Sequence, residues 1–273
     1  MVETLPSRSH PIYQERDPRR VRDAIRRKKW HWGTSGLVPG YTQANLVLLP
    51  EADAFDFVLF CLRNPKPCPL LEVTEPGNPE PVLTAPGADL RTDVPRYRVF
   101  RNGKVVDEPL DILAYWRDDL VGFLLGCSFT FENALQQAGI PVRGLEGERP
   151  TFSAYITSIP CVPAGKFRGR MVVTMRPMTP ANAIRAVQVT SRFSKAHGAP
   201  VHIGDPSAIG IGDLGKPDFG SPVEVSPGEV PVFWACGITP QVVALDSGVG
   251  FMITHYPGHM FITDRRDEEI ALS

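Results

Sequence analysis

Two cysteines stand in the same local pattern. Leu124-Leu125-Gly126-Cys127-Ser128-Phe129-Thr130 lines up with Phe233-Trp234-Ala235-Cys236-Gly237-Ile238-Thr239. In both, a small residue precedes the cysteine, a small one follows, and Thr comes three positions after it. Each cysteine ends an apolar run of strand character and stands where a helix should begin. A thiol there lies beside the positive end of the helix dipole, which favours the thiolate. The unpaired N–H groups of the first turn can bind a carboxylate or an oxyanion. Such a pair suits proton transfer to, or nucleophilic attack on, a small carboxylic acid. Cys127 and Cys236 are therefore catalytic candidates. Glu132, on the first turn of its helix, is a further acid or base, or a complement to the dipole. Ser128, Thr130, Thr239 and Gln241 are substrate-binding candidates. A cysteine is also an ordinary core residue, so packing alone competes with this reading.

Two other clusters carry ionisable groups. Residues 204–213, GDPSAIGIGD, have neither the dinucleotide-binding spacing nor the lysine of a phosphate loop. Gly204 permits close backbone approach to a ligand, and Asp205 and Asp213 can hold an ammonium group or take its proton. Asp205 joins the catalytic candidates; Gly204 and the preceding His202 join the binding ones. His255 and His259 are four residues apart with Asp264 nearby, but Pro257-Gly258 interrupts any helix, so the two imidazoles would not share a face. A single histidine acting as acid or base suits the pattern better than a metal, and His259 is the candidate carried forward. No cofactor motif is visible and no metal site is expected, although Asp205, Asp213 and His259 leave one open.

The elements around these residues are legible from apolar spacing and breakers. Residues 231–248 read as a buried strand, a turn at Cys236-Gly237, and a helix with Thr239 as N-cap and Pro240 at its first position. Residues 121–126 form the matching strand, with Ser128 or Thr130 capping a helix over 131–138. Helices are expected from Asp17-Pro18 to about Trp30, over 51–62, over 111–120, and from Thr179-Pro180 to about Ala196. Asn102-Gly103 between β-rich runs is a hairpin turn. Apolar strands feeding capped helices point to a mixed α/β (α+β) unit: a partly parallel sheet flanked by helices, with antiparallel additions. The 273 residues suit a single catalytic unit, with a smaller inserted lobe at about 140–228 left open.

Composition narrows the classes. Charged residues make up 22% and hydrophobic ones 42%, as in an ordinary globular protein, and the net charge of −1 gives no general pull toward nucleic acid or anionic membrane. The basic side chains at residues 19–29 are expected to form a solvated helix face. No apolar run approaches the roughly 20 residues of a membrane span, and residues 1–17 have no apolar signal core. Five cysteines, an odd number, suit a reduced compartment, so the cytoplasm is the expected location. The expected partner is a small carboxylate substrate, with no nucleic acid and no membrane; assembly of identical copies is left open.

Several strings together resemble one family. Gly40-Tyr41-x-Gln43-Ala44-Asn45-Leu46, Arg63-Asn64-Pro65-Lys66-Pro67-Cys68-Pro69, Gly126-Cys127-Ser128-Phe129-x-Phe131-Glu132, His202-Ile203-Gly204-Asp205-Pro206, Phe233-Trp234-Ala235-Cys236-Gly237-x-Thr239-Pro240-Gln241 and Pro257-Gly258-His259-Met260 closely resemble the D-glutamate cyclase family. The resemblance runs from about Arg22 to Asp264. It implies a mixed α/β fold and a hydro-lyase without a cofactor, converting D-glutamate to 5-oxoproline and water. One segment departs: Arg149-Pro150-Thr151-Phe152-Ser153-Ala154-Tyr155 replaces an Arg-Asn-Val-Pro-Met-Tyr-like run. A substrate contact from it would change the preferred acid. The cysteine turns also resemble those of cofactor-independent aspartate/glutamate racemases, in the opposite order, so a two-cysteine racemase or epimerase is an alternative. A non-enzymatic binding or regulatory protein is a third reading, suggested by the basic first helix and the proline-rich loop at 75–95.

Overall fold

Local signals shape most elements as expected. The computed structural model describes residues 6–144 and 151–271. Asp17 caps α1 (Pro18–Arg26), its side chain accepting from the Arg19 N–H. Strand β1 (Tyr41–Pro50) runs directly into α2 (Glu51–Arg63), which stops at Asn64-Pro65. Then come β2 (Leu70–Val73) and the hairpin of β3 (Tyr97–Arg101) and β4 (Lys104–Asp107). Asn102 and Gly103 turn it with φ of 47° and 69°, the left-handed pair that a type I′ turn requires. Residues 111–120, expected as a helix, contain only a short 3₁₀ turn at Leu113–Tyr115, with Leu113 exposed.

Strand β5 (Leu120–Gly126), buried throughout, leads through Cys127 into α3 (Phe129–Gln137). Strands β6 (Ser153–Pro160) and β7 (Arg170–Met178) follow. Helix α4 (Pro180–Ser191) is capped by the Thr179 side chain, as expected. After β8 (His202–Ile203) and β9 (Phe219–Gly220), β10 (Val230–Ala235) leads through Cys236 into α5 (Thr239–Asp246). The chain closes with β11 (Phe251–His255), β12 (Phe261–Arg266) and α6 (Asp267–Ile270).

Two sheets form. The first runs β2-β5-β1-β11-β3-β4, with β12 also paired to β1; the second runs β8-β10-β7-β6-β9. Every strand pairing among the described residues is antiparallel. The mixed α/β class is therefore right and the partly parallel sheet is not. The expectation rested on continuous apolar strands, which parallel sheets produce because helices cover both faces. Here β5 and β10 are interior strands of two separate antiparallel sheets. Phe123 and Leu125 face one core, with Phe57, Phe60 and Phe167, while Leu124 faces another, with Leu46, Leu48 and Tyr97.

The two halves repeat one plan. Asn45 on β1 lies opposite Leu125, two residues before Cys127; Thr174 on β7 lies opposite Trp234, two residues before Cys236. Helices α2 and α4 begin at the same distance beyond Asn45 and Thr174. The strand after each cysteine helix then crosses over: β6 follows α3 but pairs with β7, and β11 follows α5 but pairs with β1. Each half thus gives a strand to the other's sheet.

The basic first helix is not simply a solvated face. Arg22 is buried, donating to the Ile262 carbonyl at 2.9 Å and pairing with Asp264 at 2.8 Å. Arg26 holds the buried Asp93 through two bonds of 2.7 and 2.6 Å. These cations pin α1 to the first sheet. Among the described residues no helix is long and apolar enough to cross a membrane.

Candidate active site

The ends of β5 and β10 come together although they belong to different sheets. Cys127 and Cys236 both line one small crevice of about 20 Å³, with Asn45 and Thr174 from the central strands and His255 from the end of β11. Phe129, Phe152 and Met260 contribute apolar walls. Larger depressions, one of about 460 Å³ beside Asn133 and Asp267 and one of about 240 Å³ beside Thr42 and Lys195, contain none of the expected site residues.

Asn45 ties the two turns together. Its Nδ2 donates to the carbonyls of Leu125 (3.3 Å) and Gly126 (2.7 Å), and Gly237 packs so closely on its amide that a Cβ there would overlap it. Gly126 meets the Lys195 carbonyl in the same way. The small residues beside both cysteines are thus explained by close approach.

Both thiols are neutral, contrary to the thiolate expected from the helix dipole. Burial pushes Cys236 up to about 11, against the opposite pull of the Ile238 N–H. Burial raises Cys127 further; the Phe129 N–H lowers it, and Cys236 and Glu132 add to the rise. Desolvation of a fully buried sulfur outweighs one or two backbone dipoles. The helices also start differently from expectation. Ser128 makes no capping bond, and Thr239 lies inside α5, its Oγ1 donating to the Cys236 carbonyl at 2.7 Å and accepting from the Val172 N–H at 3.0 Å.

Glu132 and Ser128 share a partner that sequence reasoning missed. Arg176 of β7 donates to Glu132 Oε1 at 2.5 Å and to Ser128 Oγ at 3.0 Å. Its guanidinium lies 5.3 and 5.4 Å from the Phe131 and Trp234 ring centres. Burial raises the Glu132 carboxyl and Arg176 opposes that rise. Thr130 Oγ1 is buried without a hydrogen-bond partner. Gln241 donates to the His255 carbonyl at 2.9 Å and accepts from Arg98 at 3.2 Å, so it braces the end of β11.

The glycine loop lies apart from this cavity, on the β8 side of the second sheet. Asp205 is fully exposed and caps a 3₁₀ turn, accepting from Ser207 N and Oγ at 2.9 and 2.7 Å, bonds that lower its carboxyl. His202 Nε2 contacts the Asp205 carbonyl at 2.7 Å, and Gly204 supplies a φ of 99°. His259 sits in the turn between β11 and β12, near the cavity without lining it. Its Nδ1 contacts the Pro257 carbonyl at 3.0 Å, its ring stands edge-on to Tyr256, and burial depresses it to about 4. Asp264 is taken by Arg22, and no three His, Cys, Asp or Glu among the described residues are arranged to hold a metal.

His255 lines the cavity instead. It is 1% exposed and depressed to about 4 by burial, with Nδ1 on the Leu46 backbone. Phe152, from the run that departs from the family pattern, also reaches the cavity; Arg149 and Pro150 lie outside the described residues. One signal for Asn45 and Arg176 was available: a polar residue inside an otherwise apolar strand is the informative exception to burial.

Comparison with known proteins fits this arrangement. The model of the D-glutamate cyclase family matches residues 121–264. A Geobacillus kaustophilus protein named "Putative hydro-lyase" is 60% identical over 92% of this chain and 95% of its own. A Rubrobacter xylanophilus protein of the same name is 60% identical over 91% and 96%, and Bacillus subtilis "Putative hydro-lyase YcsI" is 58% identical over 93% and 99%. A nitrogen repressor-like protein from Methanococcus jannaschii aligns at a TM-score of 0.38 and 10% identity over 87% of this chain and 91% of that one, a likeness too distant to inform function. At such identities, along nearly the whole length of its relatives, the chain belongs to the D-glutamate cyclase family.

Proposed function

We propose that this protein is a hydro-lyase acting on a small amino-dicarboxylic acid in the cavity between the two cysteine turns, with D-glutamate converted to 5-oxoproline and water. The observation that carries the reading is the convergence of two helix-starting turns, from separate sheets, on one small crevice. Ring closure requires the amine, freed of one proton, to attack the distal carboxyl carbon. The new C–N bond then forms, the C–O bond breaks, and the hydroxyl leaves with a proton as water. The N–H groups of Thr130, Phe131, Thr239 and Gln241 bond to carbonyls of their own turns and Pro240 has none, which leaves Asn45, Ser128, Thr174 and His255 as the polar side chains facing the substrate. The neutral thiols act as proton donors or as plain walls in this scheme, not as standing nucleophiles. The cavity takes about one water-sized group, so substrate enters by displacing Phe129, Phe152 and Met260. Incubation with D-glutamate should yield 5-oxoproline by mass spectrometry or NMR. No product from D-glutamate or a panel of related amino and hydroxy acids would overturn the reading.

The paired cysteines at one cavity favour a second reading, an amino-acid racemase. It requires solvent deuterium to appear at Cα of unreacted substrate, and loss of that exchange in Cys127→Ser and Cys236→Ser. Both thiols being neutral counts against it.

A further inference from the structure

The internal repeat supplies a way to sort the cavity's groups. Matched by strand register, Cys127 corresponds to Cys236 and Asn45 to Thr174. Leu46 corresponds to Met175. Each of these two is flanked by a strand from the other half: Leu46 by His255, and Met175 by Ser153. The counterpart of His255 is therefore Ser153, which donates its hydroxyl to the Ser221 carbonyl at 2.6 Å and does not line the cavity. Among the ionisable groups lining the cavity, the two cysteines are a matched pair and His255 has no equivalent.

The hydrogen bonds of His255 define what it offers. The Leu46 N–H, always a donor, points at Nδ1 from 3.2 Å. The Leu46 carbonyl lies 3.3 Å from the same Nδ1, so the backbone accommodates either tautomer; in the one that accepts from the Leu46 N–H, Nε2 carries the hydrogen. Nε2 is buried with no hydrogen-bond partner in the protein. An orphaned buried donor is rare in folded proteins and calls for an explanation. The Gln241 amide on the His255 carbonyl, itself held by Arg98, fixes the backbone that presents the ring.

We propose that His255 is a catalytic hydrogen-bond donor of this site, its Nε2–H receiving the oxygen of the carboxyl group that is attacked. In the scheme above, the amine nitrogen bonds to the carboxyl carbon and the C=O π pair moves onto oxygen. His255 holds that oxyanion without giving up its proton. When the carbonyl re-forms, the C–O bond to the adjacent hydroxyl breaks and that hydroxyl takes the proton shed by the attacking nitrogen, leaving as water. The depressed basicity of the ring keeps it a neutral donor at pH 7, an arrangement that avoids pairing an imidazolium with the amine. This rests on the cyclase reading for the reaction, but the ligand contact is independent of it.

The test has two arms. Loss of one oxyanion donor costs about 10²–10³ in kcat. His255→Leu is therefore expected to lose about that factor in kcat on D-glutamate and to bind glutarate more weakly, and His255→Gln, which keeps a donor, to recover at least tenfold. Equal kcat in wild type and His255→Leu overturns the proposal. In the second arm, wild-type protein carrying ¹⁵N-histidine is titrated with glutarate, an unreactive dicarboxylate. A shift of the His255 Nε2 resonance supports the contact; no shift at the highest soluble concentration overturns it, whatever the turnover. Absence of turnover in wild type together with a glutarate-induced shift would sink the cyclase reading and leave the donor assignment standing.

Discussion

Arg176 is the residue on which the α3 side of the site depends. It is the charged partner of Glu132, and both side chains are almost fully buried. Removing one member of a buried ion pair leaves the other uncompensated and costs about 3–5 kcal/mol. Arg176→Met should therefore destabilise by that order in urea unfolding, and Arg176→Met with Glu132→Leu should recover most of it. If the double variant is no more stable than the single one, Arg176 works through its stacking on Phe131 and Trp234 instead. Either way Glu132 is held by a guanidinium that also donates to Ser128, so its placement on a first turn, visible in sequence, says less about acid–base work than its partner does. The same lesson applies to the thiols. The position of Cys236 at a helix start was legible; its neutrality follows from burial, which no local pattern reports.

At the scale of elements, β5 ends against backbone and the turn after β10 against the Asn45 side chain, and these contacts are the reason for the glycine beside each cysteine. A Cβ at Gly126 would overlap the Lys195 carbonyl, and one at Gly237 would overlap the Asn45 amide. Overpacking of this kind costs about 1–3 kcal/mol or more. Gly237→Ala should lower the thermal midpoint and also loosen the Asn45 bonds to the end of β5, so turnover in the proposed reaction should fall in both Gly237→Ala and Asn45→Ala. A Gly237→Ala protein with wild-type midpoint and activity would show that the turns are not rigidly joined. Capping and turn signals predicted the starts of α1 and α4 and the Asn102-Gly103 hairpin, because those devices act over three or four residues, and apolar spacing predicted α2; α1 and α4 end at Arg26 and Ser191, short of the expected Trp30 and Ala196. The expected helix at 111–120 failed because its apolar residues serve separate contacts: Ile112 is buried against the first sheet's core while Leu113 faces solvent.

For the whole molecule, pH dependence should follow the buried imidazoles. His197, His255 and His259 are each depressed by burial to about 4 from an ordinary 6.5. The unfolded chain binds these protons first, so stability is present above pH 6.5 and falls as pH drops from 6.5 toward 4. Asp267 works in the opposite direction. Burial raises it to about 7, so its contribution is greatest below pH 4 and is lost as pH rises toward 7. Glu132, also raised by burial, acts in the same direction as Asp267; with three imidazoles against these two carboxyls, the urea midpoint should climb between pH 4 and 6.5. His197→Asn should flatten that slope, Asn being tolerated at the φ of 76° found there. An unchanged slope would mean that His197 binds its proton equally well in the folded and unfolded chain.

Sequence alone determined the local devices and, through its motifs, the family: the two strand-to-helix cysteine turns, the caps, the hairpin and the likeness to D-glutamate cyclases. Tertiary structure decided which of these meet. Antiparallel pairing in two sheets, the exchange of β6 and β11 between halves, the reach of Arg176 across 44 positions to Glu132 and that of His255 across 209 positions to Leu46 are all decided there. Periodicity and capping operate within a few residues, whereas register across a sheet and the desolvation of a thiol or an imidazole are properties of the assembled interior.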